Sequence, residues 1–465
     1  MRGIAASPGP RTWVLRSTRV VFPDGVRGAR LVIDGESIAA ILPHAFAPEE
    51  PRSGELVDVG DHVVMAGIVD THAHLNEPGR TEWEGFVTAT RACAAGGITT
   101  VVDMPLNSIP VTTSRQALAV KRDAVAGKAS VDYGFWGGIV PGNAGELSSM
   151  IDDGVLGFKA FLCHSGIDDF PASDEPVLAR ALSILGERGV PMLAHAELEH
   201  ALGEAAGPAN SYGTYLASRP ASWEVAAITM LAGLARQIRG QVHVVHLSAA
   251  DALPVIAQAK AEGVPLTVET CPHYLTLAAE EIADGATEYK CAPPIRERDN
   301  QTRLWEGLAS GVIDQVVSDH SPCTPALKLP ETGDFTNAWG GIASLQLGLP
   351  LLYTKADSRK LGDLVTLSRW LSQAPARLAG LSARKGTLSV GLDADFVVWD
   401  PSAAWSVDPA KLYHRHRITP YGGKSVRGRV LATYLRGRKI YDGVEPLPEA
   451  TGRPLTRGHG HRTQP

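Results

Sequence analysis

From about residue 63 to about residue 380 the chain alternates short apolar stretches with longer segments of helical spacing, and this alternation narrows the fold more than any other feature. The apolar stretches fall at 63–71, 98–104, 131–140, 155–162, 190–194, 242–246, 265–269 and 312–318, with helical spacing between them, as at 81–95, 222–238 and 249–262. Many of these strands are apolar throughout, as expected where helices cover both faces of a parallel sheet. Eight strand–helix units predict an α/β fold, a TIM-type (β/α)8 barrel over 63–380, with an open doubly wound sheet as the rival of the same periodicity.

The flanks read differently. Residues 12–22 are β-rich, Pro23-Asp-Gly25 is a turn, and 30–42 forms a hairpin about Asp34-Gly35. The β pattern returns in 386–400 and 430–441. Neither end is large enough to enclose a core, so 12–62 and 386–445 are expected to pair into one small composite β domain interrupted by the barrel. Residues 1–11 and 449–465 read as flexible tails.

Net charge is −6, from 44 basic and 50 acidic residues, which advertises no surface for nucleic acid or anionic lipid. No apolar run is long enough for a bilayer, and the first ten residues lack a signal core. The five cysteines, Cys93, Cys163, Cys271, Cys291 and Cys323, are odd in number and show no Cys-x-x-Cys, a pattern of reduced thiols. A soluble cytoplasmic protein with no membrane partner is the expectation.

Barrel enzymes place their chemistry at the C-terminal ends of the strands. The first strand runs into Asp70-Thr-His-Ala-His74, and alternation along a strand points His72 and His74 the same way. His-x-His recurs at His414/His416 and His459/His461, but neither pair follows a long apolar strand, and both read as solvated or hydrogen-bonded imidazoles. The fourth strand carries Gly157-Phe-Lys-Ala-Phe161, the fifth ends at His195, the sixth at His246, and the eighth at Asp319. Any one of these has an ordinary structural explanation. Four His, one Lys and one Asp at equivalent ends of five strands do not.

Lys159 has two readings. Its ammonium either snorkels to the strand end or, desolvated among Phe158, Ala160 and Phe161, becomes a neutral amine that CO2 converts to a bridging carbamate. With His72, His74, His195, His246 and Asp319, such an N6-carboxylated Lys159 could hold two divalent ions, Zn2+ first, with Co2+, Mn2+ or Fe2+ served by the same donors. A hydroxide bridging the two ions is available near neutral pH, and Asp319 is placed to take its proton and pass it to a leaving nitrogen. The reaction class is metal-assisted hydrolysis of a planar amide.

These residues resemble the amidohydrolase superfamily, and more narrowly its cyclic-amide branch. The resemblance covers nearly the whole chain through Asp70-Thr-His-Ala-His-Leu-Asn-Glu-Pro-Gly79, Gly157-Phe-Lys-Ala-Phe161, the ends at His195 and His246, Ser318-Asp-His-Ser-Pro-Cys323 and Ile418-Thr-Pro-Tyr-Gly-Gly423. It implies a barrel with a composite β domain, a binuclear metal centre and a homotetramer. Dihydroorotases typically carry Arg where this chain has Asn76, a cation that grips a substrate carboxylate. Hydantoinases usually lack the Glu77-Pro-Gly-Arg80 continuation. The segments 76–86, 103–110 and 337–342 together resemble the allantoinases. That likeness implies a neutral small-molecule substrate, allantoin, whose cyclic amide is opened to allantoate. It also implies substrate contacts from Asn107, Ser321 and Trp339, which otherwise read as a turn Asn, a capping Ser and a packing Trp. His273 and His320 read as structural or supporting, and Cys163 and Cys291 have nothing to make them nucleophiles. The rival activity is that of a dihydropyrimidinase or hydantoinase on another cyclic ureide. The rival of another class is a non-catalytic scaffold, disfavoured because all six ligand positions are filled.

Overall fold

The apolar run that begins at Val63 is not one strand. It breaks at Gly67 into Val63–Ala66 and Ile68–Ala73, which join different sheets. A Cβ at Gly67 would lie 2.2 Å from Thr99 Oγ1, so only glycine fits where the chain steps from one sheet to the other. The computed structural model describes residues 12–46, 55–200, 207–447 and 449–457.

The outer sheet unites the two chain ends. Arg438–Tyr441, Ser425–Leu435 and Phe396–Ser406 continue through Val63–Ala66 to Trp13–Phe22, Gly25–Asp34 and Ser37–Pro43, with Glu55–Asp58 also paired to Trp13–Phe22. Its apolar face closes over an aromatic cluster drawn from both ends: Phe396 stacks on Tyr434 at 4.6 Å, and Trp13 sits 5.4 Å from Tyr434. Each end alone leaves this face open to water, which is why they meet.

The barrel strands are Ile68–Ala73, Ile98–Asp103, a third strand broken at Trp136 into Asp132–Phe135 and Gly137–Gly138, then Phe158–Phe161, Met192–His195, Val242–Val244, Leu266–Thr270 and Gln315–Val316. Their pairing is parallel throughout, and a bridge from Ala73 to His320 joins the last strand to the first. Apolar side chains fill both faces of these strands, so the barrel is a packed core. Outer helices start at recognisable caps: Ser114 accepts from Ala117 N at 3.2 Å, and Asp174 from Val177 N at 3.0 Å. The first helix is shorter than its spacing suggests. It runs Phe86–Ala95, because the Glu77 carboxylate accepts from Phe86 N at 2.9 Å and fixes 77–85 as a loop over the barrel mouth.

Residues 449–457, read from sequence as flexible, lie against the barrel. Leu455 N donates to Tyr133 O at 2.7 Å, Leu455 is buried, and Arg457 donates to the Leu156 and Leu378 carbonyls. A polar composition hid the one apolar anchor. His459, His461 and residues 1–11 lie outside the described residues. The β sheet and barrel are further tied by Lys385, whose buried ammonium meets Asp132 at 2.7 Å, Asp393 at 2.8 Å and Asp395 at 2.6 Å. Among the described residues no helix is long and apolar enough to cross a membrane.

Candidate active site

Side chains from the C-terminal strand ends gather around a cavity of about 720 Å3. Its wall includes His74, Asn107, Lys159, His195, His246, Asp319, Ser321 and Trp339. His72 is fully buried at the same end, with its ring 5.6 Å from His74 and 5.3 Å from His246. The structure therefore brings together all six residues singled out at strand ends. Three residues here hold left-handed backbone angles, Asn76 (φ 62°), His246 (φ 39°) and Asp319 (φ 45°). Such angles cost a non-glycine residue on the order of 1–3 kcal/mol each and persist where surrounding contacts over-determine them.

In His72, His74 and His195 a hydrogen bond at one ring nitrogen leaves the lone pair on the other. His72 Nδ1 lies 2.6 Å from Glu269 Oε1, and His74 Nδ1 donates to Leu106 O at 2.8 Å. Both Nε2 atoms are thereby left as bases. His72 Nε2 approaches Asp319 Oδ1 to 3.1 Å and His74 Nε2 to 3.8 Å, and the closer contact has no hydrogen-bond geometry. No hydrogen bond joins His72 Nε2 to Asp319, and a ring nitrogen and a carboxylate oxygen that face each other in this way suit a shared cation. His195 donates through Nε2 to Glu197 at 2.6 Å, leaving Nδ1 free, and His246 Nδ1 is buried without a partner. Burial holds the His72 and His195 rings neutral, down to about 4 in each case, and pushes His74 and His246 well below the ordinary range. His72, His74 and Asp319 place three ligand atoms within 4.8 Å of one another. This donor set fits a divalent ion.

Lys159 is 1% exposed, with its ammonium 5.0 Å over the Phe161 ring, so its head does not reach solvent. Burial lowers its pKa and raises that of Asp319, each shift opposed by the charge of the other. A lysine so placed is readily deprotonated.

Asn107 Nδ2 donates to Asn76 Oδ1 at 3.3 Å, and Arg80 donates to the Asn107 carbonyl at 3.1 Å. Asn76 itself is buried and stands behind Asn107 rather than on the cavity wall. Trp339 packs edge-on against Trp83 at 4.8 Å, and its indole N–H is buried without an acceptor. Ser321 lies beside it on the wall.

Several supporting groups escaped the sequence reading. Glu269 joins His72 to His243, whose Nε2 lies 2.9 Å from Glu269 Oε2, and Gln315 donates to the same oxygen at 3.0 Å. Glu197 is held by Arg219, and although burial opposes its charge, Arg219 and His195 bring its pKa down to about 2. Glu84 accepts from His320 Nε2 at 3.2 Å and from Arg415 N at 3.1 Å, so the segment with His414 and His416 clamps the first barrel loop. His273 is buried with neither ring nitrogen bonded, close to Cys271 and Asp319. Burial raises the Cys163 thiol to about 12 and Cys291 higher still, so neither is a ready nucleophile. A carboxylate two residues from a histidine, or on a neighbouring strand, leaves no distinctive spacing by which sequence reasoning could find it.

Residues 63–440 match the model of the amidohydrolase family. An allantoinase of Streptomyces avermitilis is 53% identical over 449 residues, covering 96% of this chain and 98% of that protein. An allantoinase of Saccharomyces cerevisiae is 46% identical, covering 84% and 86%. Among solved structures, the L-hydantoinase (dihydropyrimidinase) from Arthrobacter aurescens superposes with a TM-score of 0.90 at 30% identity, covering 96% of this chain and 100% of that one. The chain belongs to the amidohydrolase family, and within it to the allantoinase group.

Proposed function

We propose that the protein hydrolyses allantoin to allantoate, adding water across one amide C–N bond of the hydantoin ring. The observation that carries this reading is the convergence of His74, Lys159, His195, His246 and Asp319 on one cavity, with His72 buried beside Asp319 and the acids Glu269 and Glu197 behind His72 and His195. These six residues would hold two divalent ions, Zn2+ by preference among Zn2+, Co2+, Mn2+ and Fe2+, with Lys159 as the N6-carboxylated bridge. When bound, the ions polarise the scissile carbonyl and acidify a water.

The chain's own groups do the rest. Asp319, kept receptive to a proton by burial, takes the proton released by water at its carboxylate and returns it to the departing ring nitrogen. The new carboxylate and the freed ureido nitrogen then belong to one open-chain product. Asn107, Ser321 and the buried Trp339 N–H offer uncharged partners to the amide and urea groups of a neutral ring. Asn76, by holding Asn107, fills with an amide the position where an arginine would recruit a carboxylate.

The test is an allantoin hydrolysis assay after chelation and after metal add-back, with 5-substituted hydantoins and dihydropyrimidines as competitors. Allantoin turnover that is lost on chelation and restored by metal is the expected result. Faster turnover of the hydantoins would move the chain to the rival activity, and protein without stoichiometric metal would revive the scaffold reading. A homotetramer in the cytoplasm completes the proposal, and light scattering on purified protein tests the assembly.

A further inference from the structure

One wall of the cavity is the segment Thr336-Asn-Ala-Trp-Gly-Gly341, and its backbone is wrapped around two lysines. Lys290 Nζ donates to Thr336 O at 3.1 Å and Ala338 O at 2.5 Å. Lys328 Nζ donates to Trp339 O at 3.0 Å and Gly341 O at 2.6 Å. Four carbonyls of six residues thus turn toward two ammonium groups. Among the described residues neither lysine forms an ion pair, so these dipoles are the main compensation for burying the two charges. Burial pulls both lysines below the ordinary range, with Lys328 and Arg219 adding to the effect on Lys290. Asp334 opposes it from a distance.

The segment is also fixed at its edges. Gly341 N donates to the Lys290 carbonyl at 2.7 Å, Trp339 N to Leu327 O at 2.8 Å, and Ser321 N to Ile342 O at 3.1 Å. Gly341 lies so close to Ser321 that a Cβ there would meet the Ser321 carbonyl oxygen at 2.1 Å. The lysines therefore set where Trp339 and Ser321 stand. Lys290 also packs its ammonium 5.2 Å over the Tyr215 ring, which joins the wall to the opposite helix.

We infer that Lys290 and Lys328 are positioning residues for substrate, two cationic pins that hold the 336–341 wall so that Trp339 and Ser321 meet the ring of a cyclic ureide. The inference rests on the allantoin reading for the identity of that ring. Carbonyls that converge on a cation repel one another when it is removed, so a lysine-to-methionine change preserves the bulk of the stem and lets the wall open. His72, His74 and His195 keep their own supports in Glu269, the Leu106 carbonyl and Glu197.

The experiment compares Lys290→Met, Lys290→Arg and Lys328→Met with the unmodified enzyme in its metal-loaded form, using allantoin as substrate. Wild-type turnover is established first, and its absence would count against the allantoin reading rather than against the pins. Lys290→Met is expected to raise KM about tenfold or more, the factor typical of losing one charge-assisted hydrogen bond, with kcat within about threefold and metal content unchanged. Lys290→Arg, which keeps a cation, is expected to recover most of the loss. Lys328→Met, more deeply buried, is expected to show a larger KM effect. A KM unchanged in Lys290→Met, or a fall in kcat alone, would overturn the inference. So would failure of Lys290→Arg to improve on Lys290→Met in a protein that melts at the wild-type temperature.

Discussion

Glu269 Oε1 stands 2.6 Å from His72 Nδ1, fully buried, and fixes His72 as an Nε2 base facing Asp319. Burial alone would neutralise Glu269, but the facing His243 and His72 outweigh it and hold the carboxyl well below the usual range.

Glu269→Gln keeps the shape and removes the charge. The new amide would present a donor toward His243, Gln315 or His72, all of which donate to the carboxylate now. Supporting carboxylates of this kind are worth about 10–100-fold in metal affinity. A competitive chelator titration of the apo-protein should show a loss of that order, and an unchanged affinity would remove Glu269 from this role.

Lys159 makes a sharper case. Lys159→Ala removes the only lysine among the six strand-end residues. The expectation is fewer than two metal ions per chain by elemental analysis and a fall in allantoin turnover of at least about a hundredfold. Full metal content with full activity in this variant would end the carbamate reading.

The gathering of the six candidate residues at one end of the barrel was legible because they lie in or just after apolar strands, whose C-terminal ends share one face of a parallel barrel. The composite β domain was legible because neither β-rich end has enough apolar surface to close a core. What was not legible depended on distant neighbours. The step at Gly67 exists because Thr99 crosses it, and nothing within 63–71 says so. Glu197, Arg219, Glu269 and the two wall lysines carry no spacing signal, since their partners lie on other elements or on backbone carbonyls. The sequence reads as solvated or hydrogen-bonded imidazoles at His414 and His416; His416 is hydrogen-bonded to Glu82 O, but His414 is buried against His320 with neither ring nitrogen bonded, and the clamp on the loop at Glu82 and Glu84 appears only when strand order is known.

Gly341 tests the wall independently of the lysines. Its φ of 131° is one that side chains rarely adopt, and a Cβ would collide with the Ser321 carbonyl. Gly341→Ala should cost about 1–3 kcal/mol locally and displace Ser321 and Trp339, raising KM for allantoin while metal content stays at the wild-type value. Wild-type kinetics in Gly341→Ala would show that the wall does not bear on substrate.

Lys385 links pH to stability through the cluster that ties the β sheet to the barrel. Burial opposes its charge, but Asp395, Asp132 and Asp393 outweigh this and hold it at about 12. The acids respond in opposite senses. Despite burial, Lys385 and Arg436 keep Asp132 low, whereas burial pushes Asp395 up. The acid side therefore mixes contributions of both signs, and on the alkaline side Lys385 is the group that titrates. A lysine whose folded pKa lies above its ordinary 10.5 stabilises fully below that value and loses the contribution as pH rises through about 12. Lys385→Met leaves the buried Asp395 without its cation, while Asp132 keeps Arg436 and Asp393 keeps Arg384, a loss of about 3–5 kcal/mol. Denaturant unfolding of both proteins should show that gap at pH about 8 and a clearly smaller one at pH about 11.5. A gap that stays constant between those two pH values would mean that the Lys385 charge is not what holds the sheet to the barrel.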